Sequence, residues 1–139
     1  MNSISIIIPV LNEAKNIEAL LTYLDLNSHS NSISDILVVD GGSTDGSQEI
    51  ISEFSKIHPK VKVLNSPKGR AKQMNLGAVQ SKGTVLYFLH ADSVPPKKFD
   101  QYILDAFHNG SKTGCFKMKF DSSHWWLQLA GWFTQFNWK

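Results

Sequence analysis

Three apolar runs of this chain are each followed by an acidic side chain. Glu13 lies just beyond "SISIIIPV", Asp40 ends "DILVVD", and Asp92 follows "GTVLYFLH". If these runs are parallel strands of one sheet, the three carboxylates lie at its carboxyl edge, where open α/β sheets bind their ligands. Carboxylates gathered without a basic partner repel one another unless a cation lies among them. The spacing therefore predicts a hard divalent cation, Mg²⁺ or Mn²⁺, completed by the phosphates of a substrate.

Each candidate residue also has a purely structural interpretation. Asp40 precedes two glycines, which suits the start of a turn, and Glu13 in a first helical turn would complement the helix dipole. His90 would also serve as a hydrogen-bonded residue at a strand end. Asp45, with Gln48 three residues later, is expected to cap a helix. The convergence of these residues on one edge favours a shared site.

Positive charge is concentrated in one segment. Lys68, Arg70 and Lys72 surround the start of the predicted helix "RAKQMNLGAVQS". Backbone N–H groups at a helix N-terminus attract anions, so this segment is suited to a phosphate or to the polar edge of a nucleobase. A solvated helix start is the alternative, and the segment taken alone favours it.

Strand and helix patterns alternate along the chain. The runs "SISIIIPV", "DILVVD", "VKVL" and "GTVLYFL" are apolar and rich in β-branched residues, as in the buried strands of a parallel sheet. We therefore predict an α/β domain with a mostly parallel sheet and helices on both faces, the first helix being capped by Asn12. The predicted helical stripes are Ile17, Leu20, Leu21 and Leu24; Ile50, Ile51, Phe54 and Ile57; Ala71, Met74 and Ala78; and Phe99, Tyr102, Ile103, Ala106 and Phe107.

The C-terminal part of the chain has a different pattern. "TGCFKMKF" alternates apolar and polar residues, which predicts a half-exposed edge strand. "SSHWWLQLAGWFTQFNWK" predicts an aromatic-rich terminal helix, because Trp125, Leu129, Trp132 and Phe136 share one helical face. Three roles stay open for this tail: docking on a missing half of the protein, pairing with another copy in a homo-oligomer, or peripheral contact with a membrane.

Length and composition narrow the classes of protein. The 139 residues, 42% of them hydrophobic, favour a single domain with one sizeable core. A formal net charge of +2 argues against nucleic-acid binding, and Cys115, the only cysteine, excludes an internal disulfide. A nucleotidyltransferase or a dinucleotide-dependent oxidoreductase would carry a glycine-rich loop after the first strand, and "PVLNEAKN" contains no glycine. With neither a signal-peptide pattern nor a membrane-span pattern, we place the chain in the cytoplasm.

Four strings in a fixed order carry a family resemblance. "SIIIPVLNE", "VVDGGSTDGS", "GRAKQMNLGA" and "LYFLHADS" resemble the nucleotide-binding half of family 2 glycosyltransferases of the GT-A fold, over residues 3 to about 96. Each string alone is a weak signal, and the ordered set is specific. The resemblance implies a Rossmann-like sheet and an inverting, metal-assisted transfer of sugar from a nucleotide-sugar donor, a UDP-sugar being favoured, to an unknown acceptor.

The resemblance also implies roles for individual residues. Asp92 corresponds to the metal ligand, for Mn²⁺ or Mg²⁺, and Asp40 is placed near the nucleobase. The residues implied to bind the nucleotide are Pro9, Asn12, Glu13, Asp40, Gly42, Arg70, Asn75, His90 and Ala91.

Two departures from the family pattern affect these expectations. His90, Ala91 and Asp92 stand where the family carries Asp-x-Asp, so His90 has two open roles, metal ligand or hydrogen-bond partner of the ribose. The family also continues into an acceptor-binding half that supplies the catalytic base, whereas nothing after Asp121 is acidic. The catalytic residue is therefore unknown.

These departures lead to an expectation about domain organisation. We expect residues 1–139 to form one C-terminally incomplete domain, with a nucleotide- and metal-binding core at 1–96 and a helix, edge strand and aromatic tail at 97–139. Such a chain would bind donor without turnover. A non-catalytic nucleotide-binding or assembly module is therefore the alternative to an active transferase.

Overall fold

The computed structural model describes residues 1–116 of the chain. Strands and helices alternate through this part, and the strands form one sheet in the order β3-β2-β1-β4 with every neighbouring pair parallel. The α/β class and the parallel sheet predicted from the sequence are confirmed. The elements are β1 (Ile4–Val10), α1 (Ile17–Leu26), β2 (Ile33–Asp40), α2 (Ser47–Ile57), β3 (Val61–Asn65), α3 (Arg70–Gln80), β4 (Val85–Phe88) and α4 (Phe99–His108).

The strand register places the strand ends at one edge. Val10, the last residue of β1, pairs with Asp40, and Asp40 pairs with Asn65 at the end of β3. On the other side of β1, Ile7 pairs with Phe88 at the end of β4. The carboxyl ends of all these strands therefore face the same way, as predicted.

Most helices lie on one face of the sheet. Alternate residues of β1 from Ile4 to Val10 point into a core shared with α1, α2 and α4, where Leu21, Ile51 and Phe99 are fully buried. Burying a large apolar side chain contributes about 1.5–3 kcal/mol relative to leaving it in water. The predicted stripe of α1 is confirmed, since Ile17, Leu20, Leu21 and Leu24 are all buried in this core.

The opposite face is covered by α3. Gly77 of this helix approaches the sheet so closely that a Cβ added to it would lie 2.5 Å from Cγ2 of Ile7. The chain runs from β1 through β2 to β3 along one face and returns over the other face to β4. The strand order therefore reverses between β1 and β4, and such a reversal is where an open α/β sheet forms its ligand crevice.

The predicted face of α3 is wrong. Ala71 is exposed and Met74 is half-buried, whereas Gln73 and Gly77 are the buried residues of the helix. The helix is rotated because its closest approach to the sheet requires a residue without a side chain, at Gly77, and because Gln73 finds hydrogen-bond acceptors there.

The expectation that β4 is buried on both faces is also wrong. β4 lies at the edge of the described sheet, and its residues alternate between half-buried and exposed. Tyr87 faces the core and packs against Phe99, while Leu86 and Phe88 on the α3 side remain 40% and 42% exposed. The single helix on that face covers β1 and β2 and leaves β4 open.

The C-terminal predictions fall largely outside the described residues. Residues 113–116 form no strand, and Phe116 packs edge-on against Tyr87 with ring centroids 5.8 Å apart. The rest of the predicted edge strand and the aromatic terminal helix lie outside the described residues. Within residues 1–116, every helix falls short of the length and apolar character that crossing a bilayer requires.

Candidate functional site

Two loops leave the carboxyl edge side by side and are joined by hydrogen bonds. Loop 1 (residues 11–16) connects β1 to α1, and loop 2 (residues 41–46) connects β2 to α2. The N–H of Asn12 donates to Ser43 Oγ at 2.9 Å, and Asn12 Oδ1 accepts the N–H of Thr44 at 2.8 Å. These reciprocal bonds make the two loops one unit.

Asn12 has a different role from the one predicted. α1 begins at Ile17, preceded by Asn16, so Asn12 does not cap the first turn of the helix. Its backbone is left-handed, with φ of 57°, a conformation that asparagine tolerates better than most residues. Asn12 therefore turns the chain out of β1 and fastens loop 1 to loop 2.

A second pair of bonds continues the junction toward α2. The N–H of Glu13 donates to Ser47 Oγ at 2.9 Å, and the N–H of Ala14 donates to Asp45 Oδ2 at 3.0 Å. Asp45 Oδ1 accepts the N–H of Ser47, the first residue of α2, but the residue directly before the helix is Gly46 rather than Asp45. Hydrogen bonds from the hydroxyl of Ser47 and the N–H of Ala14 lower the pKa of Asp45.

Asp40, the last residue of β2, is fully buried at the start of loop 2. Its Oδ2 accepts the N–H groups of Gly42 at 2.8 Å and Ser43 at 2.9 Å and the side-chain amide of Gln48 at 2.6 Å, and its Oδ1 accepts the Ser43 hydroxyl. Burial alone would raise the pKa of Asp40, but the hydrogen bonds from Ser43, Gln48 and Gly42 outweigh it and lower the pKa. Asp40 is thus an ionised carboxylate around which loop 2 is folded.

Gln48 was expected to pair with Asp45 in a capping box. It instead reaches back to Asp40 and to Asn65 Oδ1, the latter at 3.3 Å. The side-chain amide of Gln48 donates to these two acceptors, so the side chain points toward the ends of β2 and β3 rather than toward the backbone N–H of Asp45.

The remaining predicted nucleotide-binding residues are distributed around this unit. Glu13 is half-buried and its Oε2 accepts the side-chain amide of Asn16 at 2.9 Å. Arg70 is exposed at the first position of α3, and Asn75, further along the same helix, is also exposed. Because α3 follows β3 and packs on β1 and β2, its N-terminus and Arg70 lie at the carboxyl edge.

Pro9 lies where the hydrogen-bonded pairing of β1 with β4 ends. Ile7 O still accepts the N–H of Leu89 at 3.0 Å, but Pro9, the next residue of β1 that faces β4, has no N–H to donate. β4 ends at Phe88, beside this missing bond. The proline therefore stops the pairing at the point where the strand order reverses.

A third loop follows β4 and carries the predicted metal ligand. The N–H of Ser93 donates to His90 O at 3.0 Å, which closes a turn in which Ala91 is buried while His90 and Asp92 are exposed. The Tyr23 hydroxyl of α1 donates to the carbonyl of Pro95 at 2.8 Å and anchors the loop. His90 and Asp92 therefore face solvent on a loop that is held to the body of the domain.

The expected cluster of three carboxylates around one cation is not found. Within residues 1–116, no group of three or more His, Cys, Asp or Glu side chains is arranged to hold a metal ion. Glu13, Asp40 and Asp92 do follow strands at the same edge, but the carboxylate of Asp40 is occupied by loop 2 and that of Glu13 by Asn16. His90 and Asp92 fit a cation that takes few protein ligands and is completed by phosphate oxygens and water.

Gln73 is a residue of this edge that the sequence patterns did not reveal. It is 3% exposed, and its Nε2 donates to Val10 O at 2.9 Å and to Val39 O at 2.8 Å. The available signal was its spacing of four residues from Gly77, which places both on one helical face.

Comparisons with known proteins identify relatives over most of the chain. Residues 5–136 match the family model described as "Glycosyl transferase family 2". Glycosyltransferase AglE of Haloferax volcanii is 37% identical over 98 residues, covering 69% of this chain and 32% of that protein. Dolichol-phosphate mannosyltransferase of Pyrococcus furiosus is 33% identical over 110 residues, covering 78% of this chain and 31% of that protein. The chain spans about a third of the length of these curated relatives.

Solved structures with the same fold include TarS of S. aureus and a mannosyltransferase. Residues 1–349 of TarS from S. aureus superpose with a TM-score of 0.68 at 24% identity, covering 77% of this chain and 32% of that TarS chain. A complex of TarS with UDP superposes with a TM-score of 0.64 at 25% identity, with the same coverage. Mannosyltransferase PcManGT from Pyrobaculum calidifontis, in complex with GDP-Man and Mn²⁺, gives a TM-score of 0.61 at 23% identity, covering 70% of this chain and 29% of PcManGT. These likenesses establish the fold.

Proposed function

Because this chain belongs to glycosyl transferase family 2, we propose that its described residues form the donor-binding part of an enzyme that transfers sugar from a nucleotide-sugar to an acceptor. One observation carries the proposal. Loops 1 and 2 are joined into one unit beside the reversal of strand order, and the turn that exposes His90 and Asp92 leaves the neighbouring strand β4. A nucleotide and a cation-bound diphosphate would fit next to each other there.

The nucleoside is assigned to the joined loops. Pro9, Asn12, Glu13, Asp40 and Gly42 lie on or beside this unit, so they would shape the pocket for base and ribose. Both oxygens of the Asp40 carboxylate already accept hydrogen bonds from loop 2 and Gln48. Asp40 would therefore contribute to nucleotide binding by fixing the backbone of loop 2. UDP is the first nucleotide to test, since TarS, whose structure superposes on this chain, has been solved in complex with UDP.

The diphosphate is assigned to the space between α3 and the turn after β4. Arg70 at the start of α3 would pair with phosphate oxygens, and backbone N–H groups of that helix end favour an anion. Asn75, His90 and Ala91 complete the proposed set. Asp92, with His90 beside it, would hold Mn²⁺ or Mg²⁺, and the cation would offset the negative charge of the departing diphosphate.

Transfer requires more than donor binding. An inverting reaction needs a base that removes the proton of the acceptor hydroxyl on the side opposite the leaving diphosphate. No described residue is assigned this role, and the sequence after Asp121 contains no acidic residue. We therefore treat donor binding and turnover as separate properties, with a nucleotide-binding module as the second candidate function.

Calorimetry with UDP and Mn²⁺ tests the proposal. The 139-residue chain should bind UDP in the presence of Mn²⁺, and Asp92→Ala should weaken this binding about tenfold or more while leaving the melting temperature unchanged, because an exposed carboxylate contributes little packing. Asp105→Ala, which removes another exposed carboxylate from α4, is the matched control and should bind like the parent.

Two results would count against the proposal. A parent chain that does not bind UDP or GDP with either cation would contradict donor binding, and an Asp92→Ala chain that binds like the parent would contradict the metal assignment. A donor-hydrolysis assay then separates the two candidate functions, since nucleotide binding without release of sugar favours the module.

A further inference from the structure

A single buried side chain connects three parts of the proposed donor site. Nε2 of Gln73 has two hydrogens, and each is used: one is donated to Val10 O at 2.9 Å and one to Val39 O at 2.8 Å. Val10 ends β1, and Val39 precedes Asp40 at the end of β2. The amide therefore bridges the two strands at the point where loops 1 and 2 leave them.

The carbonyl of Val10 is shared with loop 2. It also accepts the N–H of Gly41 at 2.9 Å, so one oxygen joins β1, loop 2 and α3. Gly41 lies directly against the Gln73 amide, because a Cβ added to Gly41 would be 2.8 Å from Gln73 Oε1. Loop 2 is therefore packed on the glutamine with no intervening side chain.

The same contact fixes the start of α3. The N–H of Gln73 closes the first turn by donating to Gly69 O at 2.9 Å, and Arg70 lies three residues before Gln73 in that turn. Gly77, one turn further along, holds the helix against Ile7. With Gln73 attached to both strand ends, the first turn of α3 and its arginine have one position relative to the two loops.

We infer that Gln73 is a positioning residue of the donor site, which aligns loop 1, loop 2 and Arg70 through its two hydrogen bonds to the strand ends. The inference rests on the proposed function for its consequence in nucleotide binding. It also has a consequence that holds without any nucleotide, namely the rigidity of the two loops.

Amide hydrogen exchange of the nucleotide-free chain tests whether Gln73 makes loops 1 and 2 rigid. Gln73→Met keeps the length of the side chain and removes both donors, so exchange in residues 11–16 and 41–48 should be about tenfold faster than in the parent. Exchange in α1 and β3 should change little. Gln80→Met is the matched control, because Gln80 is exposed at the end of the same helix, and its loops should exchange like those of the parent.

The effect of Gln73 on nucleotide binding is measured with the same variants. Gln73→Met should bind UDP in the presence of Mn²⁺ about tenfold more weakly than the parent, whereas Gln80→Met should not. A parent that fails to bind UDP overturns the proposed function and leaves the exchange experiment to decide the role of Gln73. Loops that exchange equally in Gln73→Met and the parent overturn the inference, as does a uniform increase across all elements.

A glutamate variant separates the hydrogen bonds from the packing. In Gln73→Glu a carboxylate faces two carbonyl oxygens, which raises its pKa, whereas the protonated acid donates one hydrogen bond. The deficit of this variant in melting temperature relative to the parent should therefore shrink as the pH falls from about 8 to about 5. A deficit that does not change with pH overturns the inference. Should Gln73→Met fail to fold, Gln73→Glu replaces it in the exchange experiment, where its loops should exchange faster relative to the parent at about pH 8 than at about pH 5.

Discussion

Nε2 of Gln48, in the first turn of α2, lies 2.6 Å from Oδ2 of Asp40, the last residue of β2. The contact closes loop 2 from the side opposite to Gln73. The same carboxylate oxygen of Asp40 also accepts the backbone N–H groups of Gly42 and Ser43. Loop 2 is therefore folded around a buried negative charge, and its geometry depends on that charge.

Replacing Asp40 by asparagine tests this dependence. The amide cannot accept all the bonds that the carboxylate accepts, so Asp40→Asn should lower the free energy of unfolding at neutral pH by about 1–3 kcal/mol. The folded-state pKa of Asp40 lies below its usual value of 3.8, so its contribution is complete above that value and is lost as the pH falls through the folded-state pKa. The difference in free energy of unfolding between the parent and Asp40→Asn should therefore become smaller below about pH 4.

Urea denaturation at a series of pH values measures this effect, with Asp105→Asn as the control at an exposed aspartate. The pKa of Asp100 is also lowered, because hydrogen bonds from His29 outweigh the effect of its burial. Some acid sensitivity should therefore remain in Asp40→Asn. A difference that stays constant down to about pH 3 would show that the charge of Asp40 is not what holds the loop.

The left-handed backbone of Asn12 predicts an unusual order of stability. Asn12→Gly and Asn12→Ala both lose the hydrogen bond to Thr44, but alanine also carries the steric cost of a Cβ at φ of 57°. The glycine variant should therefore be more stable than the alanine variant by about 1 kcal/mol. Thermal denaturation of the same pair of substitutions at Asn109, where φ is −80°, is the control and should give alanine at least equal stability.

The close approach of α3 to the sheet predicts the effect of one methyl group. Gly77→Ala would place a Cβ 2.5 Å from Ile7, so the helix must move outward or Ile7 must leave its rotamer. We expect a loss of about 1–3 kcal/mol, despite the better helix propensity of alanine. Gly114→Ala is the control, since a Cβ there meets nothing within 4 Å. Denaturant midpoints of the two variants should differ clearly, and equal midpoints would show that α3 is not packed this tightly.

The two open roles of His90, metal ligand and ribose contact, predict different effects of His90→Asp on UDP affinity with Mg²⁺ and with Mn²⁺. If His90 ligates the cation, His90→Asp exchanges a nitrogen ligand for a carboxylate, which Mg²⁺ accepts more readily. UDP affinity measured with Mg²⁺ should then rise relative to the affinity measured with Mn²⁺. His108→Asp, at an exposed position near the end of α4, should leave this ratio unchanged. A ratio that His90→Asp also leaves unchanged would favour a contact with the ribose.

The fold was largely predictable because it depends on local patterns. The β-branched runs of β1 and β2 and the apolar stripe of α1 each report burial within a few residues of sequence. The orientation of α3 was not predictable in this way. Gln73 is buried because two backbone carbonyls on distant strands accept its hydrogens, and hydropathy does not record such acceptors. The exposure of Leu86 and Phe88 likewise follows from the place of β4 at the sheet edge.

The sequence predicts the sheet edge at which the candidate site lies, but not the hydrogen bonds of its side chains. Parallel strands bring Glu13, Asp40 and Asp92 to one edge whatever their side chains do. Which carboxylates stay free depends on local donors, and here Ser43 and Gln48 occupy Asp40. The role of Asn12 depends on its left-handed backbone, and loops of different sequence can supply the same turn.

The position of β4 has a consequence for how the chain folds. Ile4 pairs with Val85, so the two strands that flank the crevice are the first and the last strands of residues 1–116. Contacts between residues so far apart form late, because a long segment must first lose its freedom. During synthesis, β1, α1 and β2 can assemble early on the ribosome, whereas the turn bearing Asp92 reaches its place only when β4 arrives. Affinity for a nucleotide should therefore emerge as one of the last events of folding.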